Sequence, residues 1–446
     1  MMTAVFIILI LIPLSINSQQ KTPLPMNDLI SMAKSFVEAL EKGDYEAAVK
    51  NFDETMTKAA PPEKMKQVWE TLISQAGELK QQKRIRTESL PKYDVVYITC
   101  EFEKISLDIK VVFNKKKQIA GQFFTQPPSP YKPPDYADQT SFTEQEVEFG
   151  VKGWKLPGVL SLPKGEGPFP AVVLVHGSGP NDRDESVLAN KPFKDLAWGL
   201  ASNKTAVLRY DKRTKVHGQK MVSQKDLPLT VYEETIEDAL HGAELLRRNK
   251  NINPKKIFIL GHSLGGTLVP RIAPLDSDTA GFIIMAGATR PLEDLSLEQV
   301  KYILMLDGKL SAEEEKTLKE TKTEVQKIKD LKQTDLKQKK EKILGAYPEY
   351  WLNLKGYNPA EAAQSINRPL LILQGGRDYQ VTQKDFENWE KALSSRENVT
   401  FKLYPLLNHL FIPGKGLSSP SEYQKPGHVD EEVIHDIAHW IHTVKK

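Results

Sequence analysis

One segment of the chain has the residue types and spacing for nucleophilic chemistry, Gly261-His262-Ser263-Leu264-Gly265. It matches G-x-S-x-G, in which a serine sits on a sharp corner between a strand and a helix. The apolar stretch Ile257-Phe-Ile-Leu260 precedes it, and a helical pattern opens at Leu264. Such a corner needs small neighbours, which Gly261 and Gly265 provide, and the helix start beneath it favours negative charge. A serine hydroxyl is a weak nucleophile at neutral pH. It needs a base, and the base needs an orienting acid. With an elbow serine these follow in the order Ser, Asp or Glu, His. Asp378 stands in Gln374-Gly-Gly-Arg-Asp378, just after the apolar run Leu370–Leu373. His409 stands in Pro405-Leu-Leu-Asn-His409, just after Phe401-Lys-Leu-Tyr404. Both fall on loops at the C-terminal ends of strand candidates, where open parallel sheets place their sites. Ser263, Asp378 and His409 are therefore read as a catalytic triad.

Acyl chemistry also needs donors for a developing oxyanion. His176-Gly177-Ser178-Gly179-Pro180 closes the apolar run Ala171–Val175, and a glycine-rich turn there can aim N–H groups at such a charge. The N–H of Leu264, the residue after the nucleophile, is read as one donor. The N–H of Ser178 is read as the other, with Gly177 as the alternative. His176 is read as structural. Asp182, Arg183 and Asp184 follow the turn, and an ion pair fixing the loop accounts for them.

The elements that must hold these residues can be read from periodicity. Continuous apolar runs at Ala171–Val175, Ala206–Leu208, Ile257–Leu260, Gly281–Met285 and Leu370–Leu373 suit strands buried on both faces. Helix candidates at 193–202, 231–248, 264–273 and 383–394 alternate with them, which predicts a parallel sheet flanked by helices. Residues 291–365 are too long for a crossover and predict a helical cap. In it Met305, Tyr347, Tyr350, Trp351 and Leu352 are candidates to face a substrate, and the Lys- and Glu-rich residues 312–344 read as a solvated helix or hairpin.

Upstream, residues 27–73 read as helical, with Leu29, Met32, Ala33, Phe36, Val37 and Leu40 spaced by three and four. Lys42-Gly-Asp44 ends one helix, and Asp44 can cap the next. Residues 79–124 turn β-rich, with strands at Tyr93–Phe102, Leu107–Phe113 and Ile119–Phe124. Pro127, Pro128, Pro130, Pro133 and Pro134 then mark a stiff linker. The expected plan is a small α+β domain at 19–125, a linker at 126–141 and a large α/β domain at 142–446.

Residues 142–446 resemble the α/β-hydrolase fold serine hydrolases of the esterase, dienelactone hydrolase and serine aminopeptidase group. The likeness rests on Gly261-His-Ser-Leu-Gly-Gly266, on His176-Gly-Ser-Gly-Pro-Asn-Asp-Arg-Asp184 and on Arg209-Tyr-Asp-Lys-Arg213. Gly375-Gly-Arg-Asp-Tyr-Gln-Val381 and Asn408-His409 complete it. Thr214 departs from the pattern, since relatives often carry glycine there. The resemblance implies acyl transfer to water through an acyl-serine. The segment around Phe36-Val-Glu-Ala-Leu-Glu-Lys-Gly-Asp-Tyr45 is similar to small cystatin- or NTF2-like domains.

Composition narrows the partners. The 446 residues carry 61 Lys+Arg against 58 Asp+Glu, a net charge of +3, which gives no support to a nucleic-acid partner. A single cysteine, Cys100, permits no intramolecular disulfide and no cysteine-based zinc or iron–sulfur site. No cofactor is called for. His435, His439 and His442 share a helical face, but the adjoining Ile434, Ile437 and Ile441 make that segment a packed terminal helix rather than a metal site. Ala4–Leu14 is an apolar run of eleven residues, short of the about 20 needed to span a membrane. With the polar residues after it, it reads as a signal peptide cut after Ser18, which predicts a secreted or periplasmic enzyme with no stable membrane span. The expected function is a serine esterase acting on a small ester. A peptidase for short peptides or acylated amino acids is the nearest rival, then a thioesterase or acyltransferase, and a catalytically unused binding fold stands in a different class. The N-terminal domain could bind substrate or a surface, or mediate a homodimer.

Overall fold

The computed structural model describes residues 26–89, 93–125, 127, 131–223, 229–334 and 341–444. The signal segment and part of the proline-rich stretch lie outside them. The chain divides into two compact units between Ser129 and Pro130.

The N-terminal unit opens with α1 (Met26–Glu41), which buries Leu29, Ala33, Phe36, Val37 and Leu40 as their spacing requires. The turn at Gly43 takes a φ of 73°, and the Asp44 carboxylate accepts the Ala47 N–H at 3.0 Å to cap α2 (Tyr45–Val49). Next come α3 (Glu54–Ala59), capped by Asp53, and α4 (Pro62–Ala76), which opens on a proline. An antiparallel sheet follows in the order β1 (Leu79–Ser89), β2 (Tyr93–Phe102), β3 (Ser106–Asn114) and β4 (Ile119–Thr125). The helices and sheet enclose Phe36, Phe52, Trp69, Ile98, Cys100 and Phe113. Strand β1 was hidden in the sequence because Leu79-Lys-Gln-Gln-Lys-Arg-Ile-Arg-Thr-Glu-Ser is polar along nearly its whole length, as an edge strand can be.

The C-terminal unit is built on one eight-stranded sheet. Its elements are β5 (Phe142–Phe149), β6 (Leu156–Pro163), β7 (Phe169–Val175), α5 (Pro192–Ser202), β8 (Ala206–Tyr210), α6 (Arg213–Ser223) and α7 (Glu237–Arg247). They continue as β9 (Ile252–His262), α8 (Leu264–Ile272) and β10 (Gly281–Met285). The insertion holds α9 (Leu292–Leu304), α10 (Ala312–Asp330), α11 (Pro348–Leu354) and α12 (Pro359–Ala363). The chain closes with β11 (Leu370–Gly375), α13 (Gln383–Leu393), β12 (Val399–Tyr404) and α14 (Glu431–Thr443). The strand order is β12-β11-β10-β9-β7-β8-β6-β5. From β12 to β8 all neighbours are parallel, and β6 and β5 extend the sheet antiparallel.

The central strands are apolar throughout because both faces are covered. Val172, Leu174, Phe258 and Leu260 face a core shared with Phe193, Trp198, Ile434 and Ile437 of α5 and α14. Ala171, Val173, Ile257 and Ile259 face the opposite core, with Ala239, Leu268, Phe386 and Trp389 of α7, α8 and α13. This alternation across each strand follows from its period of two. Tyr131 and Tyr136, in the stretch read as linker, belong to this unit. Tyr131 donates to Asp195 Oδ1 at 2.6 Å and stands edge-on to Trp198, and Tyr136 donates to the Val429 carbonyl at 2.8 Å.

The insertion is helical. The charged helix α10 is not solvated all round, since Leu318, Val325 and Ile328 form a buried stripe. Trp351 is 1% exposed and donates its indole N–H to the Ile343 carbonyl at 2.7 Å, and Tyr350 is 7% exposed. Both were candidates to face a substrate. They are instead core residues that seat the insertion, because large aromatic rings bury more apolar area than the rest of this charged segment can.

Candidate active site

Ser263 sits on the corner between β9 and α8 with φ 53° and ψ −117°. A non-glycine residue in this region costs roughly 1–3 kcal/mol and persists only where its surroundings enforce it. Its own N–H donates to the Met285 carbonyl at 2.9 Å, which ties the corner to β10. The flanking glycines are obligatory. A Cβ on Gly261 would stand 2.3 Å from the Gly265 backbone, and one on Gly265 would stand 2.3 Å from the Val175 carbonyl oxygen. Strand, corner and helix can approach this closely only without side chains.

The turn after β7 passes directly beside the serine. A Cβ built on Gly177 would lie 3.1 Å from Ser263 Cβ and 3.5 Å from Ser263 Oγ. Leu264 N–H is the first of α8 and has no partner within the helix. The N–H of Gly177, the alternative oxyanion donor, is engaged, since it donates to Glu185 Oε1 at 2.6 Å, and the Gly177 carbonyl accepts from Lys212 Nζ at 2.7 Å.

Asp378 and His409 come together from the loops after β11 and β12, with Asp378 Oδ2 2.6 Å from His409 Nδ1. Asp378 is itself fixed. Its Oδ1 accepts N–H bonds from Gln380 at 2.7 Å and Val381 at 2.9 Å, and the Gln374 amide donates to Oδ2 at 3.3 Å. Nδ1 of His409 is thereby occupied, and Nε2 is the ring nitrogen that Asp378 does not engage. The loop carrying His409 docks on the elbow, where its backbone carbonyl lies 2.9 Å from His262 Nε2. The two histidine rings lie 4.8 Å apart between centroids.

The first helix of the insertion leans on the loop of Asp378. Tyr302 on α9 stacks on Tyr379 at 5.0 Å and 6° and donates to the Ser418 carbonyl at 2.8 Å. Gln299 donates to the Gln380 carbonyl at 3.0 Å. At the base of the insertion, fully buried Asp385 accepts the Thr289 N–H at 2.9 Å and pairs with Arg290 at 2.7 Å.

A family of proteins described as serine aminopeptidase, S33, matches residues 168–413. The chain belongs to this α/β-hydrolase family. A second match, to a family described only as a protein of unknown function (DUF3887), covers residues 33–121. Esterase EstD of Thermotoga maritima is 39% identical over 407 residues, which covers 91% of this chain and 93% of that one. Similar solved structures include an esterase of Pyrococcus furiosus, 18% identical with a TM-score of 0.43, covering 70% of this chain and 94% of that one. Another is the esterase of Pyrobaculum calidifontis, 16% identical with a TM-score of 0.44, covering 67% and 85% respectively.

In this hydrolase the loop after the glycine turn is held by charge. Arg183 pairs with Asp211 at 2.9 Å and Glu146 at 2.7 Å, and Asp184 pairs with Arg209 at 3.0 Å and Lys191 at 2.7 Å. The Thr214 hydroxyl reaches the Gly179 carbonyl at 3.4 Å, a structural use of the position where relatives often have glycine. His176 Nε2 lies 3.1 Å from the Asp182 carbonyl, and the ring lies against Phe193 and Tyr210. Burial lowers its pKa to about 4, so it is neutral and structural at ordinary pH. On the terminal helix, His435 faces Glu431 at 3.4 Å and His442 reaches the Asn203 carbonyl at 3.0 Å.

Four residues of the site were missed in the sequence: Glu185, His262, Lys212 and Glu234. Glu185 stands one residue beyond the phrase ending at Asp184, and His262 sits inside the elbow itself. Lys212 lies within Arg209-Tyr-Asp-Lys-Arg213. Each of the four is at most 5% exposed, and burial is what a linear pattern of charges does not display.

Proposed function

We propose that this hydrolase cleaves carboxylic esters of small molecules through an acyl-serine intermediate on Ser263. His409 Nε2 takes the Ser263 proton as Oγ attacks the ester carbonyl. Asp378 holds the imidazole with Nδ1 protonated and stabilises the imidazolium that forms. The N–H groups of Leu264 and Ser178 stabilise the oxyanion. His409 then protonates the leaving alkoxide, and it activates the water that releases the acid. The observation that carries this reading is the 2.6 Å Asp378–His409 pair, docked on an elbow whose serine is held in a strained conformation. The identity of 39% to an esterase supports ester over amide substrates.

The test is hydrolysis of p-nitrophenyl esters of increasing acyl length by residues 19–446 and by the Ser263→Ala variant. Turnover confined to the wild type, with one phosphonate bound per active chain, is the expected result. Peptide cleavage without ester turnover would transfer the triad to the peptidase reading. No phosphonate uptake would leave a binding fold.

We also propose export of the enzyme, supported by the apolar run Ala4–Leu14 and the polar residues after it. The N-terminal sequence of protein recovered outside the cytoplasm should begin at Gln19. Recovery only inside the cell with Met1 retained would overturn it.

A further inference from the structure

We propose that Glu185 and His262 are positioning residues for this reaction, one buried ion pair that holds the oxyanion loop and the His409 loop in register about Ser263. The proposal rests on the reading that Ser263 and His409 carry the chemistry.

Glu185 is 3% and His262 5% exposed. The carboxylate spans two elements. Oε1 accepts the Gly177 N–H at 2.6 Å, and Oε2 stands 2.8 Å from His262 Nδ1, a close contact without the alignment of a linear hydrogen bond. The opposite edge of the His262 ring, Nε2, lies 2.9 Å from the backbone carbonyl of His409. A carbonyl oxygen only accepts, so Nε2 carries a proton. Nδ1 lies 2.8 Å from Glu185 Oε2, within ion-pair distance. With Nδ1 protonated as well, His262 is an imidazolium opposite the Glu185 carboxylate and the pair is neutral as a whole, which is how buried charges are tolerated.

The surroundings agree with that state. Burial alone would push the Glu185 carboxyl up and the His262 ring down. Each is opposed by its partner together with other neighbours, His176 and the Gly177 N–H for Glu185 and the His409 carbonyl and Asp378 for His262, so Glu185 lies below its usual range and His262 above. The groups facing the pair are Asp378 and the His409 ring on the strand-end loops, the Phe193 ring of α5, and His176 and Tyr210 on the Glu185 side, with Lys212 beside His176. Glu185 is also held at φ 49°, a conformation a glutamate rarely adopts. Lys212 donates to the Gly177 carbonyl and pairs with Glu234 at 2.7 Å.

Two consequences follow. The position of Ser178 N–H relative to Ser263 is set through Gly177, and the position of the His409 ring is set through its own carbonyl.

The experiment compares wild type, Glu185→Gln and His262→Gln on p-nitrophenyl acetate across pH, with active sites counted by phosphonate titration and folding checked by circular dichroism. The glutamine at 185 keeps an acceptor for Gly177 but removes the charge. The glutamine at 262 keeps a donor for the His409 carbonyl. Glu185→Gln should lower kcat per titrated site on the order of 10²-fold with KM little changed. His262→Gln should show a smaller loss of kcat, again with KM little changed. Normal kcat per titrated site in both variants would overturn the proposal.

Should the variants fail to fold, nitrogen-15 NMR of histidine-labelled wild type decides. One imidazolium protonated on both nitrogens should persist above the ordinary imidazole pKa of about 6.5. Its absence overturns the proposal. This arm does not need turnover, so it stays informative if the ester reading itself fails.

Discussion

Two carboxylate–imidazole pairs meet at the elbow, and they differ in what the second ring nitrogen does. In the Asp378–His409 pair, Nδ1 is held at 2.6 Å, and Nε2 is the nitrogen that the proposed mechanism assigns to the serine. In the Glu185–His262 pair, Nδ1 lies 2.8 Å from the acid and Nε2 is spent on the His409 carbonyl. A base must gain and lose a proton in each cycle, so one of its nitrogens must stay free. An anchor must not, and a charged ring paired with a carboxylate on one edge and bound to a carbonyl on the other is held in that state. On the proposed reading the same two functional groups serve as base and as anchor, according to the acceptors placed around them.

The sharpest test of the contrast is to neutralise both acids. Asp378→Asn should lower kcat about 10⁴-fold, since the amide would impose the wrong tautomer on His409. That is about a hundred times the effect expected of Glu185→Gln. Equal losses in steady-state kinetics would erase the distinction between base and anchor.

Next in size is the clamp on the far side of Gly177. Lys212→Met leaves Glu234 buried without its cation and should cost about 3–5 kcal/mol in chemical denaturation. Adding Glu234→Gln should recover part of that. A loss unchanged in the double variant would mean that the pair does not stabilise the fold as a unit.

The two buried histidines beside the serine should also show opposite pH dependence. The folded pKa of His176 is lowered to about 4. The unfolded chain therefore takes up its proton first, and stability falls as pH drops from about 6.5 towards that value. The folded pKa of His262 is raised. Its contribution is full below about 6.5 and is lost as pH rises through the folded value. Denaturation at stepped pH should show His176→Gln flattening the acid side and His262→Gln the alkaline side. The reverse assignment would contradict both charge states.

The smallest effect belongs to the insertion. Trp351→Phe removes one buried N–H bond to Ile343 and should cost about 1 kcal/mol, without moving the acyl-length optimum. A changed optimum would return Trp351 to the substrate wall.

Much of the fold was legible because central parallel strands have no polar face. Ala171–Val175, Ile257–Leu260 and Leu370–Leu373 are apolar in sequence and buried in the sheet for the same reason. Ser263 and Asp378 stand directly after such strands, while His409 follows β12, an edge strand with an exposed face that was recognised by its β-branched and aromatic residues. Strand β1 was not, since its pairing with β2 depends on backbone hydrogen bonds that its polar side chains do not advertise. Trp351 was misread because an aromatic residue in a charged insertion has the same pattern whether it faces a substrate or fills a core.

By itself the sequence determined the order of strands and helices, the glycines without which the elbow cannot close, and which serine, acid and histidine stand at strand ends. These are local properties, set by periodicity and by backbone sterics. Only the tertiary structure decided which charges are buried. Arg183 joined a partly exposed network with Glu146 and Asp211, and Asp184 a buried pair with Arg209, while the next residue, Glu185, turned inward against Gly177 and His262. A carboxylate becomes an anchor through the partners that surround it once water is gone, and here one partner lies on its own loop and the other at the end of β9, far along the chain.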